Sequence, residues 1–125
     1  MKTRLTLTLV PAMLAATAAF ADGPGSTAYI DDRSAFLTVD ANYRAPVDCW
    51  RASLNRGAPA GAAFGSDIPV TVAMVEVGTC HPVPKVARAV GTIGAFPPLG
   101  AVVRIFFIDP RGRIVKTERV AVVNR

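Results

Sequence analysis

Two cysteines, Cys49 and Cys80, carry the most reactive side chains of this 125-residue chain. A thiol pair can form a disulfide, and a thiol of lowered pKa can act as a nucleophile. The chain has no Cys-x-x-Cys motif to support a redox role. Because its first residues indicate export, as described below, and disulfides persist outside the reducing cytosol, the sequence predicts a Cys49–Cys80 disulfide rather than a reactive thiol.

His81 is the only histidine and directly follows Cys80, which suggests a Cys-His metal pair. Metal sites need three or four ligands at suitable spacing. Beyond residue 21, and apart from the paired cysteines, the soft ligands are His81 and Met74. We therefore expect no metal and interpret His81 as a turn residue. The sequence also lacks a phosphate-binding glycine loop, and we expect no cofactor.

Catalytic groups are scarce in this sequence. A serine hydrolase would have to combine His81 with a serine, and none of the serines lies in a Gly-x-Ser-x-Gly turn. Asp31 and Asp32 are the only adjacent carboxylates, and they are typical of a solvated turn. Carboxylates that meet from different strands cannot be recognised from sequence. We predict no catalytic residue, and a small carboxylate-dependent hydrolase or lyase stays an alternative.

A loop of small residues, glycine and proline covers residues 94–100 and contains Phe96, Pro97, Pro98 and Leu99. Two prolines stiffen it, which reduces the entropy lost when such a loop docks on a partner. The loop is therefore a candidate partner-binding element. In the alternative interpretation, Phe96 and Leu99 fold back and close one end of the domain.

Basic residues gather late in the chain, and they form a candidate basic surface. This pattern is typical of a solvated hairpin, or of a surface that attracts an anionic partner or membrane. We expect no nucleic-acid binding, because the basic residues are not interleaved with aromatic residues for base stacking. The residues concerned are Arg104, Arg111, Arg113, Lys116 and Arg119.

The first residues show the three features of an export signal in their required order. Lys2 and Arg4 give a positive start, residues 5–20 are mostly apolar, and Ala19-Phe20-Ala21 is a small-x-small cleavage site. The apolar stretch falls short of the roughly 20 apolar residues that span a bilayer. We expect a signal peptide at residues 1–21 and one domain at residues 22–125, periplasmic or secreted and without a transmembrane anchor.

Alternating apolar residues predict strands at residues 34–43 and 68–77, the second of them apolar on both faces and therefore central. Residues 101–108 and 113–123 predict two further strands. They are joined by Asp109-Pro110-Arg111-Gly112, where proline and glycine suit the second and last positions of a tight turn. The sequence therefore predicts a hairpin there.

Three shorter segments complete the pattern. Residues 86–93 predict a weaker strand and residues 27–30 a short edge strand. Residues 49–55 fit a strand or a helix that begins at Asp48, and the alternation of Trp50, Ala52 and Leu54 favours the strand. Six to seven strands in about 100 residues predict an all-β fold, a single antiparallel β-sandwich with one disulfide.

The order of these features resembles a known group of domains. Cys49-Trp50, Cys80 after the central strand, and Phe96-Pro97-Pro98-Leu99-Gly100 before residues 102–108 follow each other as in small secreted bacterial immunoglobulin-like sandwiches. The resemblance covers residues 35–123 and implies an immunoglobulin-like arrangement. These sandwiches share no common activity, so the resemblance implies no function.

The sequence favours an exported, non-enzymatic domain that binds an envelope or secreted protein, or the envelope itself. The alternative from another class is a secreted inhibitor that inserts the loop of Phe96 to Leu99 into the cleft of an enzyme. Nothing in the sequence indicates the oligomeric state.

Overall fold

All regular structure in the described part of the chain is β-strand, which confirms the all-β prediction. The computed structural model describes residues 25–31, 33, 35–94, 97–98 and 100–125. The predicted signal peptide lies outside these residues. Within them we find no helix long and apolar enough to cross a bilayer. The strands are β1 (Thr27–Ile30), β2 (Leu37–Ala45), β3 (Trp50–Arg56), β4 (Ile68–Glu76), β5 (Lys85–Ile93), β6 (Val102–Ile108) and β7 (Ile114–Asn124).

The seven strands form one mixed sheet in the order β3-β4-β6-β7-β1-β2-β5. The ladders β1–β7 and β4–β6 are parallel, and the other four are antiparallel. The expectation of a wholly antiparallel sheet was therefore wrong. Hydrophobic alternation reports which face of a strand is buried, but not the direction of a neighbour that is distant in sequence. Parallel neighbours need a crossover connection, and β4 reaches β6 only by way of β5 on the far edge.

The sheet curls until its two edge strands lie side by side, so that it is nearly a barrel. Leu54 of β3 reaches β5, where its Cδ2 atom lies 3.0 Å from the position of a Cβ atom built on Gly91. No backbone ladder joins these two strands. We call the line between β3 (Trp50–Arg56) and β5 (Lys85–Ile93) the seam.

The core fills the concave side of the curled sheet. In β2 the buried side chains are odd-numbered, among them Leu37, Val39 and Ala41. Burial of one such aliphatic side chain stabilises the fold by roughly 1.5–3 kcal/mol. The largest fully buried side chains are Phe107, Leu37, Met74, Ile105, Val39, Val70, Val72 and Val103.

Three aromatic rings connect both halves of the sheet across the core. Tyr43 of β2 stacks on Trp50 of β3 at 6.3 Å between ring centroids and lies 5.4 Å from the ring of Phe107 on β6. Trp50 is partly buried against the core. Its ring therefore forms part of the core next to the disulfide.

The predicted disulfide is present between Cys49 and Cys80. It ties the start of β3 to the connection between β4 and β5. Backbone hydrogen bonds flank it, from the Val77 N–H to the Cys49 carbonyl at 2.9 Å and from the Asp48 N–H to the His81 carbonyl at 3.3 Å. The connection is therefore held to β3 at several points.

Most predicted strands are found, with two corrections. The strand expected from residue 34 begins at Leu37, because the backbone at Ala35 takes the left-handed conformation (φ 60°) and its N–H bonds the Asp31 carbonyl. The segment at Thr27–Ile30 is not an edge strand, since it lies between β7 and β2. The strand prediction for residues 49–55 is confirmed by β3.

The predicted hairpin between β6 and β7 is confirmed. The Gly112 N–H donates to the Asp109 carbonyl at 2.9 Å, and Gly112 takes a positive φ of 86° that a side chain would strain. The Asp109 carboxylate accepts from the N–H groups of Arg111 and Arg113. These two bonds hold the pKa of Asp109 below its usual range, the one from Arg113 most strongly and against the effect of burial.

Replacing both Cys49 and Cys80 by alanine is expected to lower the free energy of unfolding by about 3 to 4 kcal/mol. The reason is that the closed loop spans 31 residues, whose freedom in the unfolded chain the disulfide restricts. Urea unfolding measures the change, and reduction of the wild type with dithiothreitol is the matched control. If the double variant and the reduced wild type each lose less than about 1 kcal/mol of unfolding free energy, the disulfide is not a main source of stability.

Gly91→Val is expected to lower the free energy of unfolding by about 1 to 3 kcal/mol, because the new side chain would meet Leu54 across the seam. Leu54→Ala in the same chain should recover part of that loss. Thr92→Val on the exposed face of β5 is the control and should change little. Strictly additive losses from Gly91→Val and Leu54→Ala would contradict the contact between β3 and β5.

Candidate binding site

The buried carboxylate of Asp67 holds two arginines from neighbouring strands. Asp67 lies just before β4, with 7% of its side chain exposed. Its Oδ2 atom accepts from Nε of Arg119 at 2.8 Å and from Nε of Arg104 at 2.9 Å, and Oδ1 accepts from Nη2 of Arg119 at 3.1 Å. We call Asp67, Arg104 and Arg119 the Asp67 cluster.

The position of the two arginines follows from the register of the hairpin. Arg104 of β6 and Arg119 of β7 are direct partners in the antiparallel ladder, and so they share one face. Like charges directly opposite each other repel. Asp67 offsets this repulsion, yet one carboxylate faces two guanidinium groups. The cluster therefore keeps a net positive charge.

The electrostatics of the cluster are visible in two pKa shifts. Hydrogen bonds from Arg119 and Arg104, the stronger contribution coming from Arg119, hold the pKa of the Asp67 carboxyl below its usual range although burial opposes this. The same pairing raises the pKa of Arg119. Asp67 is therefore an anion at neutral pH, and it fixes the orientation of the Arg119 side chain.

The Gly57–Ser66 segment is a loop, and it lies against the outer face of the sheet near the cluster. Arg104 Nη1 donates to the Ala63 carbonyl at 3.3 Å, and the Thr71 hydroxyl donates to the Gly57 carbonyl at 2.7 Å. Phe106, on the same outward face of β6 as Arg104, is 3% exposed. The outer face is therefore covered in this region, and the arginine head groups lie at the border of the covered area.

A cleft of about 360 Å³ opens beside the cluster. Ser66 and Asp67 line it together with Pro98 and Gly100, and Arg119 is also a lining residue. We call it the Arg119 cleft. Its wall combines part of the predicted binding loop with part of the predicted basic surface.

The loop side of the cleft is held by one hydrogen bond within the connection and by one to the sheet. The Ala101 N–H donates to the Pro98 carbonyl at 3.1 Å, and the Val122 N–H on β7 donates to the Ala101 carbonyl at 3.0 Å. Phe96 and Leu99, named with Pro97 and Pro98 as candidate binding residues, lie outside the described residues. Pro97 is half-buried and Pro98 is exposed.

The five basic residues named from the sequence do not lie together. Arg104 and Arg119 join the Asp67 cluster. Arg111 and Arg113 belong to the hairpin turn around Asp109, about five strand residues or roughly 16 Å from Arg104. Lys116 is on the opposite face of β7, with Nζ 5.9 Å from the centroid of the Phe107 ring.

Asp67 was missed in the sequence reasoning because it is 37 and 52 residues from its two arginine partners. No local motif joins residues so far apart. Only the parallel pairing of β4 with β6 brings the start of β4 beside Arg104, and this pairing was not predicted.

Two other polar clusters lie elsewhere on the surface. Asp48 accepts from the His81 N–H at 2.8 Å and contacts His81 Nδ1 at 3.0 Å. Cys49, Glu76 and Cys80 lie close enough together to suggest metal ligands, but the two sulfurs are bonded to each other and are not thiolates. Neither cluster brings a nucleophile beside a base.

Comparison of the chain with protein-family models, curated proteins and solved structures gave no significant match.

Asp67→Asn is expected to lower the urea midpoint at pH 7, because Arg104 and Arg119 would face each other without a counter-ion. The folded-state pKa of Asp67 is lowered, so its stabilising effect is complete above about pH 4, the ordinary carboxyl range, and is lost as the pH falls through the lowered pKa. The difference between wild type and variant should therefore disappear in acid. A difference in midpoint that is the same at pH 7 and pH 2.5 would contradict the ion pairing.

Proposed function

We propose that this chain is an exported, non-enzymatic binding domain that takes an acidic side chain of an envelope or secreted protein into the Arg119 cleft. The observation that carries the proposal is the positive Asp67 cluster at the wall of a cleft that is also lined by Pro98 of the loop at residues 94–100, which we call the proline loop. The immunoglobulin-like arrangement of the domain belongs to the same proposal, supported by the all-β sheet and the disulfide.

Arg119 is suited to hold a carboxylate. Its Nε and Nη2 atoms are oriented by Asp67, while its side chain is still 60% exposed. Among the described residues, no partner is found for its Nη1 atom. Guanidinium groups bind carboxylates through parallel N–H donors, and an orientation fixed in advance reduces the entropy lost on binding.

The proline loop supplies a stiff apolar wall next to this charge. Pro98 lines the cleft, and the loop is bonded to β7 through Ala101. Strong protein–protein interfaces often contain a charge contact that becomes buried on binding and is surrounded by apolar contacts that exclude water. The arrangement therefore favours a protein side chain over a free small anion.

Export is the second part of the proposal. The Cys49–Cys80 disulfide is compatible with an oxidising compartment, and it agrees with the signal features at residues 1–21. We expect the partner in the same compartment, on the envelope or in the secreted fraction.

Arg119→Ala is expected to reduce capture of the partner from envelope and secreted fractions at least tenfold, because the carboxylate would lose its guanidinium ligand. The biotinylated domain would be used at low and at moderate salt, with recovered proteins quantified by mass spectrometry. Arg113→Ala is the matched control, since it removes an exposed arginine with an acidic partner from the same hairpin. It should leave capture unchanged.

Two outcomes would contradict the proposal. One is equal recovery of every protein by the wild type, Arg119→Ala and Arg113→Ala. The other is recovery of lipid vesicles rather than protein, dependent on Arg119, which would indicate a membrane surface as the anionic partner.

A further inference from the structure

A second cleft, of about 210 Å³, lies at one end of the seam. Trp50 and Ala52 of β3 line one side, and Val86 and Arg88 of β5 line the other. These strands are the two edges of the sheet, whereas Arg119 lies on β7 in its middle. The seam cleft is therefore a different site from the Arg119 cleft.

The backbone groups of β3 that face the seam follow from its hydrogen bonds to β4. The Val77 N–H donates to the Cys49 carbonyl, and the Gly57 N–H donates to the Pro69 carbonyl. Residues of an antiparallel strand point alternately toward one neighbour and the other. Odd-numbered residues therefore bond β4, and the N–H and C=O groups of Trp50 and Ala52 face the seam.

The backbone groups of β5 that face the seam follow from its pairing with β2. The Asn42 N–H on β2 points to the Ser26 hydroxyl, on the side of β1. The odd-numbered residues of β2 therefore face β5, and their register pairs Tyr43 with Ala87. By alternation, the backbone groups of Val86 and Arg88 face the seam, opposite those of β3.

The seam is closed at one end and open at the other. Leu54 fills the gap against Gly91, while the cleft occupies the space between residues 50–52 and 85–88. Unpaired strand edges are templates for an added strand, and short peptides bind proteins in this way. The open end therefore accepts a short extended segment.

The side chains around the open end specify an acidic occupant. Arg88 is paired with Asp40 at 2.7 Å, and Asp48 is engaged by His81. Among the described residues, Arg51 and Lys85 have no ionic partner, which leaves two positive charges beside the cleft. Asp48, which also lines the cleft, offsets one of these charges, and the cleft keeps a net positive charge.

Trp50 provides an independent indication. Its Nε1 atom is buried and has no hydrogen-bond acceptor in the described part of the chain. A buried indole N–H without an acceptor costs roughly 1–3 kcal/mol. Trp50 also lines the cleft, and an acceptor that reaches this N–H on binding would offset that cost.

We propose that the open end of the seam is a docking site for an extended acidic segment of a partner protein, which adds to β3 as a short strand. Main-chain hydrogen bonds to Ala52 give the alignment, and Arg51 and Lys85 select acidic side chains. This site does not depend on the Arg119 cleft.

Fluorescence anisotropy with a fluorescein-labelled Glu-Val-Glu-Val-Glu-Val amide tests the proposal on the purified domain. We expect saturable binding that weakens with added salt. The charge-reversed Lys-Val-Lys-Val-Lys-Val amide should bind at least tenfold more weakly. The absence of saturation with the acidic peptide up to millimolar concentration, or equal binding of both peptides, would overturn the proposal.

Ala52→Pro separates strand addition from simple charge attraction. It removes an N–H that faces the seam and leaves the ladder with β4 intact, so binding should fall about fivefold or more. Thr92→Pro is the matched control, because the Thr92 N–H also faces the seam but lies beyond its closed end, and binding should not change. Unchanged binding by folded Ala52→Pro would overturn strand addition.

If Ala52→Pro does not fold, charge variants test whether the acidic peptide binds at the open end of the seam. The double variant Arg51→Glu, Lys85→Glu should reduce binding of the acidic peptide at least tenfold, and Arg113→Ala, which changes an exposed arginine outside both clefts, should leave it unchanged. An equal loss of peptide binding in Arg119→Ala would show that the peptide binds in the Arg119 cleft. That result would overturn the seam proposal and leave the proposed function standing. If the wild type sediments as a dimer and the double variant as a monomer, the occupant of the seam is a second copy of this chain. That result would also overturn the proposal.

Discussion

The pairing of the buried Asp67 carboxylate with Arg104 and Arg119 is the interaction on which the candidate binding site depends. It joins the start of β4 to the β6–β7 hairpin and allows two arginines to face each other across a ladder. Without the carboxylate their repulsion would turn the side chains into solvent. With it, one guanidinium is oriented at the wall of a cleft, and the local charge stays positive. Stability and recognition therefore rest on the same contact.

The second constraint is the incomplete closure of the sheet. A seven-stranded sheet curled around Phe107 and the Tyr43–Trp50 stack brings its edges together at Leu54 and Gly91, but no ladder forms between them. The disulfide at Cys49 anchors the open end. A fold that buries its core in this way leaves two unpaired strand edges beside basic side chains.

The sequence predicted the features that depend on local patterns and failed on those that depend on distant pairing. Alternation located the strands, the Asp109-Pro110-Arg111-Gly112 motif located the hairpin, and two cysteines in a chain expected to be exported were sufficient to predict the disulfide. The parallel ladders could not be predicted, because periodicity carries no information on the direction of non-consecutive strands. For the same reason the basic residues were taken as one surface, whereas the two faces of β7 and the length of the hairpin separate them. Asp67 had no local signal.

Hydrogen exchange on the complex with the partner protein tests the central claim most directly. We expect slower exchange of backbone amides at residues 100–102 and 117–121 in the bound domain, with residues 111–113 of the hairpin turn unchanged. Protection confined to the hairpin turn, or absent from residues 100–102, would contradict the assignment of the Arg119 cleft as the partner site.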